Sequence, residues 1–163
     1  MKKINLLIST FFGYGYLTKI PGTVTSLVTT VFIYIAYEYL GYTDLKFSII
    51  FFSLLFFYSF YAVKDAESQF KNKDPRQIVI DEVLGQAMPL ILVLYLSQNN
   101  QLSLQIEIYY VLSFIFFRFF DILKPFPVSY FDKNFKNYFG IIMDDIMAGL
   151  YSMILIYLIS LKF

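Results

Sequence analysis

The chain alternates long apolar stretches with short polar ones. Five apolar segments stand out, from about Thr23 to Leu40, Phe47 to Val63, Ile78 to Leu96, Ile106 to Leu123 and Ile141 to Leu161. Each is close to the ~20 residues that a helix needs to cross a bilayer. Tyr42-Thr43-Asp44 and Ser97-Gln98-Asn99-Asn100-Gln101 read as short polar turns between them. Lys64 to Arg76 and Lys124 to Phe139 read as longer charged connections. Met1 to Phe12 reads as a short amphipathic or interfacial helix, because Gly13-Tyr14-Gly15 is a poor signal-cleavage site. The expected fold is a single all-α membrane domain over residues 1–163, a polytopic bundle of about five transmembrane helices.

Composition agrees with the pattern. Of 163 residues, 58% are hydrophobic and only 15% charged, too few charges to cover a soluble domain of this size. Cysteine and histidine are both absent. Their absence excludes disulfides, thiolate nucleophiles, Cys/His zinc sites, a phosphohistidine and any Ser-His-Asp triad. Chemistry is left to carboxylates, hydroxyls, Lys, Arg and a hard metal ion.

The distribution of charge predicts an orientation. With five spans and a cytoplasmic N-terminus, one side holds Lys2, Lys3, Lys19, Lys64, Lys71, Lys73, Arg76, Arg118, Lys124, Lys133 and Lys136. The other holds Lys46 and Lys162. Eleven against two satisfies the positive-inside rule, and adding or losing a span would break the alternation.

This topology gathers the unusual polar residues at one membrane depth. Asp81-Glu82 open the third segment and Asp144-Asp145 the fifth, while Arg118, Asp121 and Lys124 close the fourth. Glu38, Asp44 and Glu107 are scattered on the other side. A charged residue at mid-bilayer costs roughly 2.5–3.5 kcal/mol on insertion scales, so two doublets call for a use. Facing carboxylate pairs repel unless a cation lies between them, and an all-oxygen donor set suits Mg²⁺. Asp81 and Gly85 are four apart, as are Asp145 and Gly149, so each acid shares a stripe with a small residue that allows close helix packing. Arg118 offers a bidentate fork and Lys124 a point charge for phosphate oxygens. Pro21-Gly22-Thr23 with Ser26 precedes the first helix and could expose backbone N–H groups to an anion, although an ordinary Pro-Gly turn capped by Thr23 is the plainer reading of that fragment. Together these groups suggest phosphate chemistry on a lipid headgroup.

At these residues the sequence resembles the phosphatidylglycerophosphatase A family of bacterial membrane lipid phosphatases. The resemblance runs through Phe12-Gly13-Tyr14-Gly15, Pro21-Gly22-Thr23 with Ser26-Leu27, Ile80-Asp81-Glu82 with Gly85, Phe117 to Pro127, and Gly140 to Asp145 with Ala148-Gly149. It implies Mg²⁺-dependent hydrolysis of the terminal phosphate of phosphatidylglycerophosphate at the cytoplasmic face of the inner membrane. No protein partner and no nucleic acid is implied. The chain departs from the family pattern at Thr18, Thr25, Lys133 and Asn137-Tyr138, and keeps every acid named above. The expected roles are Asp81, Glu82, Asp144 and Asp145 as metal ligands, Asp121 as a further ligand or base, and Arg118 and Lys124 as the phosphate grip. Gly22, Thr23 and Ser26 are expected to meet the phosphate from the first helix. A small ion or proton transporter is the rival reading, since intramembrane carboxylates serve there too. A transport path, however, needs polar groups reaching both faces.

Overall fold

The computed structural model describes residues 2–70 and 75–162, the last of these by its backbone alone. Lys71 and Lys73, used above for orientation, lie outside the described residues, as does the Lys162 side chain. The described residues form α-helices and no strand: α1 (Lys2–Ser9), α2 (Pro21–Glu38), α3 (Leu45–Glu67), α4 (Ile80–Gln98), α5 (Ile106–Leu123), α6 (Val128–Asn134) and α7 (Tyr138–Lys162). The five long helices match the five apolar segments, and α3, α4 and α7 are long and apolar enough to cross a membrane. The other two are 18 residues each, and α5 carries Glu107, Arg118 and Asp121 within its length.

Helix ends follow local chemistry. α2 starts at Pro21 rather than at Thr23, so Pro21-Gly22 is its first turn and not a separate loop. Proline suits that position because its missing N–H has no helical partner there and its φ is already helical. Asp44 caps α3 by accepting from the Phe47 N–H at 3.0 Å. The N-terminus of α7 is capped twice. Asn137 Oδ1 accepts from the Phe139 and Gly140 N–H groups, and Glu67 Oε2 on α3 accepts from the Tyr138 N–H at 3.0 Å. These bonds satisfy donors that a helix start would leave open.

α4 is the central helix and packs most extensively on α7. Glycine makes that packing possible. A Cβ on Gly149 would lie 2.5 Å from the Gly85 carbonyl oxygen, and one on Gly85 would lie 2.6 Å from the Asp145 carbonyl oxygen. Above and below this crossing, Leu84, Ile142 and Val63 form one fully buried apolar cluster and Leu90, Val93 and Ile156 another. α3 is the outlying helix. Only 17% of its apolar window is buried, so Ile50, Phe51, Leu54 and Phe57 face outward as lipid-facing side chains do.

α1 is more than an interfacial anchor, because it docks on α3 through a buried polar contact. Asn5 is 1% exposed; its amide donates to Asp65 Oδ2 at 2.8 Å, and its carbonyl oxygen accepts from the Tyr58 hydroxyl at 2.7 Å. Asn5→Leu removes the partner of both groups. It is expected to lower unfolding stability by about 1–3 kcal/mol, read as a drop in Tm of the purified protein. An unchanged Tm would show that the network adds nothing. Beyond α1, the Ser9 carbonyl accepts from the Val79 N–H at 2.8 Å, tying the N-terminal segment to the residue before α4.

Candidate active site

The first turn of α4 carries Asp81 and Glu82, and the second turn of α7 carries Asp145. The glycine crossing brings the two helices so close that one carboxylate oxygen from each of Asp81, Glu82 and Asp145 lies within 4.8 Å of the others. Asp81 and Asp145 are 8% and 4% exposed. Three carboxylates at this spacing cannot all stay ionised in a buried site without a cation among them. Their oxygen-only donor set fits a hard divalent ion.

Asp144 points elsewhere. Its Oδ2 accepts from Lys124 Nζ at 2.6 Å, and its Oδ1 accepts from the Asp145 N–H at 3.0 Å. Neighbours on a helix project about 100° apart, so the doublet divides between two tasks. Lys124 closes α5 with a left-handed backbone, φ 46°, a conformation glycine usually takes. Its ammonium also donates to Asp132 Oδ1 at 2.6 Å. Burial disfavours the Lys124 ammonium, but Asp144 and Asp132 outweigh this and hold its pKa above the ordinary lysine value. Burial likewise pushes Asp132 up, and its hydrogen bond to Lys124, with Lys136 and Lys133 nearby, brings it below the usual carboxylate range.

Apart from Lys133, these groups line one cavity of about 130 Å³. Its walls hold Asp81, Glu82, Asp121, Asp132, Asp144 and Asp145, with Lys124 and Lys136 as the cations. Arg118 stands beside it, its Nη1 2.6 Å from Asp121 Oδ2. Gly22 brings the α2 N-terminus against the same corner: a Cβ there would overlap Glu82 Oε1 and come within 3.4 Å of Arg118 Nη1.

The structure therefore gathers Asp81, Glu82, Asp121, Lys124, Asp144 and Asp145 around one space, with Gly22 and Arg118 at its edge. Thr23 and Ser26 are not in the cavity wall. Ser26 is fully buried and donates to the Gly22 carbonyl oxygen at 2.8 Å, and Thr23 is half-buried. Asp132 is the site residue that sequence reasoning passed over. The available signal was a lone acid in a basic connection, four residues before Lys136.

The family model for phosphatidylglycerophosphatase A matches residues 7–160. The chain belongs to the phosphatidylglycerophosphatase A family. That family consists of phosphoric monoester hydrolases. The phosphatidylglycerophosphatase A of Haemophilus influenzae is 35% identical over 165 residues, covering 98% of this chain and 94% of that protein. The Escherichia coli protein of the same name is 28% identical over 154 residues, 94% of this chain and 82% of its own. A Bacteroides thetaiotaomicron protein, provisionally named a phosphatidylinositol-3-phosphatase, is 36% identical over 152 residues, 93% of this chain and 90% of its own. No solved structure matches the chain. The all-helical architecture predicted from the apolar segments is the one the described residues have, with three helices long and apolar enough to cross a membrane.

Proposed function

We propose that this protein is a lipid phosphatase that hydrolyses the terminal phosphomonoester of phosphatidylglycerophosphate, giving phosphatidylglycerol and inorganic phosphate. The observation that carries the reading is the three-carboxylate cluster of Asp81, Glu82 and Asp145 inside a cavity that also holds Lys124, in a chain of this family. We further propose that residues 1–163 act as one membrane-embedded domain, with the N-terminus and the cavity on the cytoplasmic side. The charge skew supports that orientation.

The cavity's charge argues for a metal. Six carboxylates face two ammonium groups there. A phosphomonoester brings roughly −1.5 to −2 more at neutral pH, so it cannot settle in this field without added cations. Asp81, Glu82 and Asp145 would hold Mg²⁺. When bound, the ion would neutralise phosphate charge and lower the pKa of a water nucleophile. Asp144 would act beside these ligands by fixing Lys124. Lys124 and Arg118 would bind phosphate oxygens and stabilise charge as the glycerol oxygen departs. Asp121, ion-paired to Arg118, would orient that guanidinium and stand as the nearest further carboxylate for proton transfer. Gly22 would let the α2 N-terminus approach the phosphate without a side chain between them. Ser26 would brace that turn through the Gly22 carbonyl, with Thr23 as the accompanying hydroxyl on the first turn.

A transporter reading finds less support. The acids crowd one end of the bundle, and α2 and α5 offer only Glu38 and Glu107 at the other. The name of the Bacteroides relative points to a different lipid phosphomonoester, so the substrate test needs both lipids.

The test is phosphate release by purified protein from phosphatidylglycerophosphate, with phosphatidylinositol 3-phosphate in parallel, in EDTA and after Mg²⁺ is restored. Release from phosphatidylglycerophosphate is expected with Mg²⁺ and its loss with EDTA. Release that ignores EDTA would sink the metal reading. Faster release from the inositol lipid would overturn the substrate.

A further inference from the structure

We propose that Asp132 is a positioning residue for phosphate binding, which with Asp144 holds the Lys124 ammonium at the cavity wall. The proposal rests on the phosphatase reading above and adds a residue to it. Three elements meet at one nitrogen. Lys124 ends α5, Asp132 sits on α6 and Asp144 on α7, with both carboxylates 2.6 Å from Lys124 Nζ. A lysine ammonium has three N–H donors on a flexible stem. Two of them are taken here, and the third is left for a ligand oxygen.

With Asp144 as its one anchor, the stem could rotate. Asp121 and Asp145 line the same cavity and would attract the charge. An ammonium drawn among them would leave the phosphate position and compete with a metal ion there. Asp132 opposes this as a second anchor, held by α6.

α6 has its own reasons to stay in place. Val128 is fully buried against Phe117 and Ala148, and the Tyr151 hydroxyl donates to the Phe126 carbonyl oxygen at 2.6 Å. Removing the Asp132 charge therefore leaves the helix docked. Lys136, 3.9 Å from Asp132 and largely exposed, is too loosely held to replace Lys124.

The experiment uses the full-length protein in detergent with Mg²⁺ present, comparing wild type, Asp132→Asn, Asp132→Glu, Lys124→Met and the Asp132→Asn/Lys124→Met double variant. Inorganic phosphate binding is measured by calorimetry, and KM and kcat on phosphatidylglycerophosphate. Asp132→Asn is expected to weaken phosphate binding and raise KM together, by roughly tenfold, the loss of one charge-assisted hydrogen bond. Its kcat is expected to fall by less than KM rises, because Lys124 holds the phosphate in the ground state as well as in the transition state. Asp132→Glu restores both constants. In the Lys124→Met background the Asp132→Asn penalty disappears, because the two residues act as one unit.

Unchanged phosphate binding in Asp132→Asn overturns the proposal. So does a tenfold penalty that persists without Lys124. An equal loss in Asn and Glu variants accompanied by a lower Tm marks a structural role and also overturns it. If wild type binds phosphate yet releases none from the lipid, while Asp132→Asn still weakens that binding, the positioning role stands and the lipid reading falls.

Discussion

Asp145→Asn is expected to lower Mg²⁺-dependent phosphate release by about a thousandfold. Asn keeps the shape of the side chain and removes one anionic donor from the cluster with Asp81 and Glu82. Metal-ion catalysis supplies several kcal/mol, and each 1.36 kcal/mol is a factor of about ten in rate. A second readout separates this from misfolding. In EDTA the variant should be at least as stable as wild type, because it loses one of three mutually repelling carboxylates. The rise in Tm that Mg²⁺ gives the wild type should shrink, since a ligand stabilises only in proportion to its binding. Full activity in Asp145→Asn would remove Asp145 from the metal site. Asp144→Asn is the companion experiment, and its main effect is expected on phosphate affinity through Lys124 rather than on metal affinity.

Gly85→Ala is expected to damage both stability and catalysis, although Gly85 offers no chemistry of its own. Its new Cβ would lie 2.5 Å from Phe117 Cε2 and 2.6 Å from the Asp145 carbonyl oxygen. Phe117 is fully buried and the carbonyl is backbone, so neither yields without moving a helix. Overpacking of this kind costs about 1–3 kcal/mol, visible as a fall in Tm. The same push displaces Asp145 relative to Asp81 and Glu82, and a misplacement of ~1 Å at a catalytic centre can cost about a hundredfold in rate. Gly41→Ala is the control. Gly41 has φ 65° with open space around it, so alanine there should cost about 1–2 kcal/mol of backbone strain and leave activity intact. Wild-type activity in Gly85→Ala would mean that the α4–α7 spacing does not set the site.

Much of this arrangement was legible in the chain. The five apolar segments matched the long helices within a few residues, because hydrophobic length is a local property. The acid doublets stood out because intramembrane charge is costly wherever it sits. The spacing of Asp81 with Gly85 and of Asp145 with Gly149 anticipated the glycine crossing. Other features were not legible. α6 is seven residues long and follows Pro125 and Pro127, so it carries no apolar run to announce it. Asp132 looked like one acid in a basic loop until α6 docked beside the end of α5. Ser26 looked like a free hydroxyl beside a glycine turn, but with Pro21-Gly22 folded into α2 it bonds back to the Gly22 carbonyl.

The sequence by itself determined the class of the protein, the number of its long helices, the chemistry it excludes and the end at which its acids gather. Each of these depends on composition or on distance along the chain. Tertiary structure alone decided that Asp145 joins Asp81 and Glu82 while Asp144 turns to Lys124, and that Lys124 is shared with Asp132. Those outcomes depend on how each helix is rotated about its axis. That rotation is fixed where Gly85, Gly149 and Phe117 pack between helices distant in sequence, a constraint that no single segment contains.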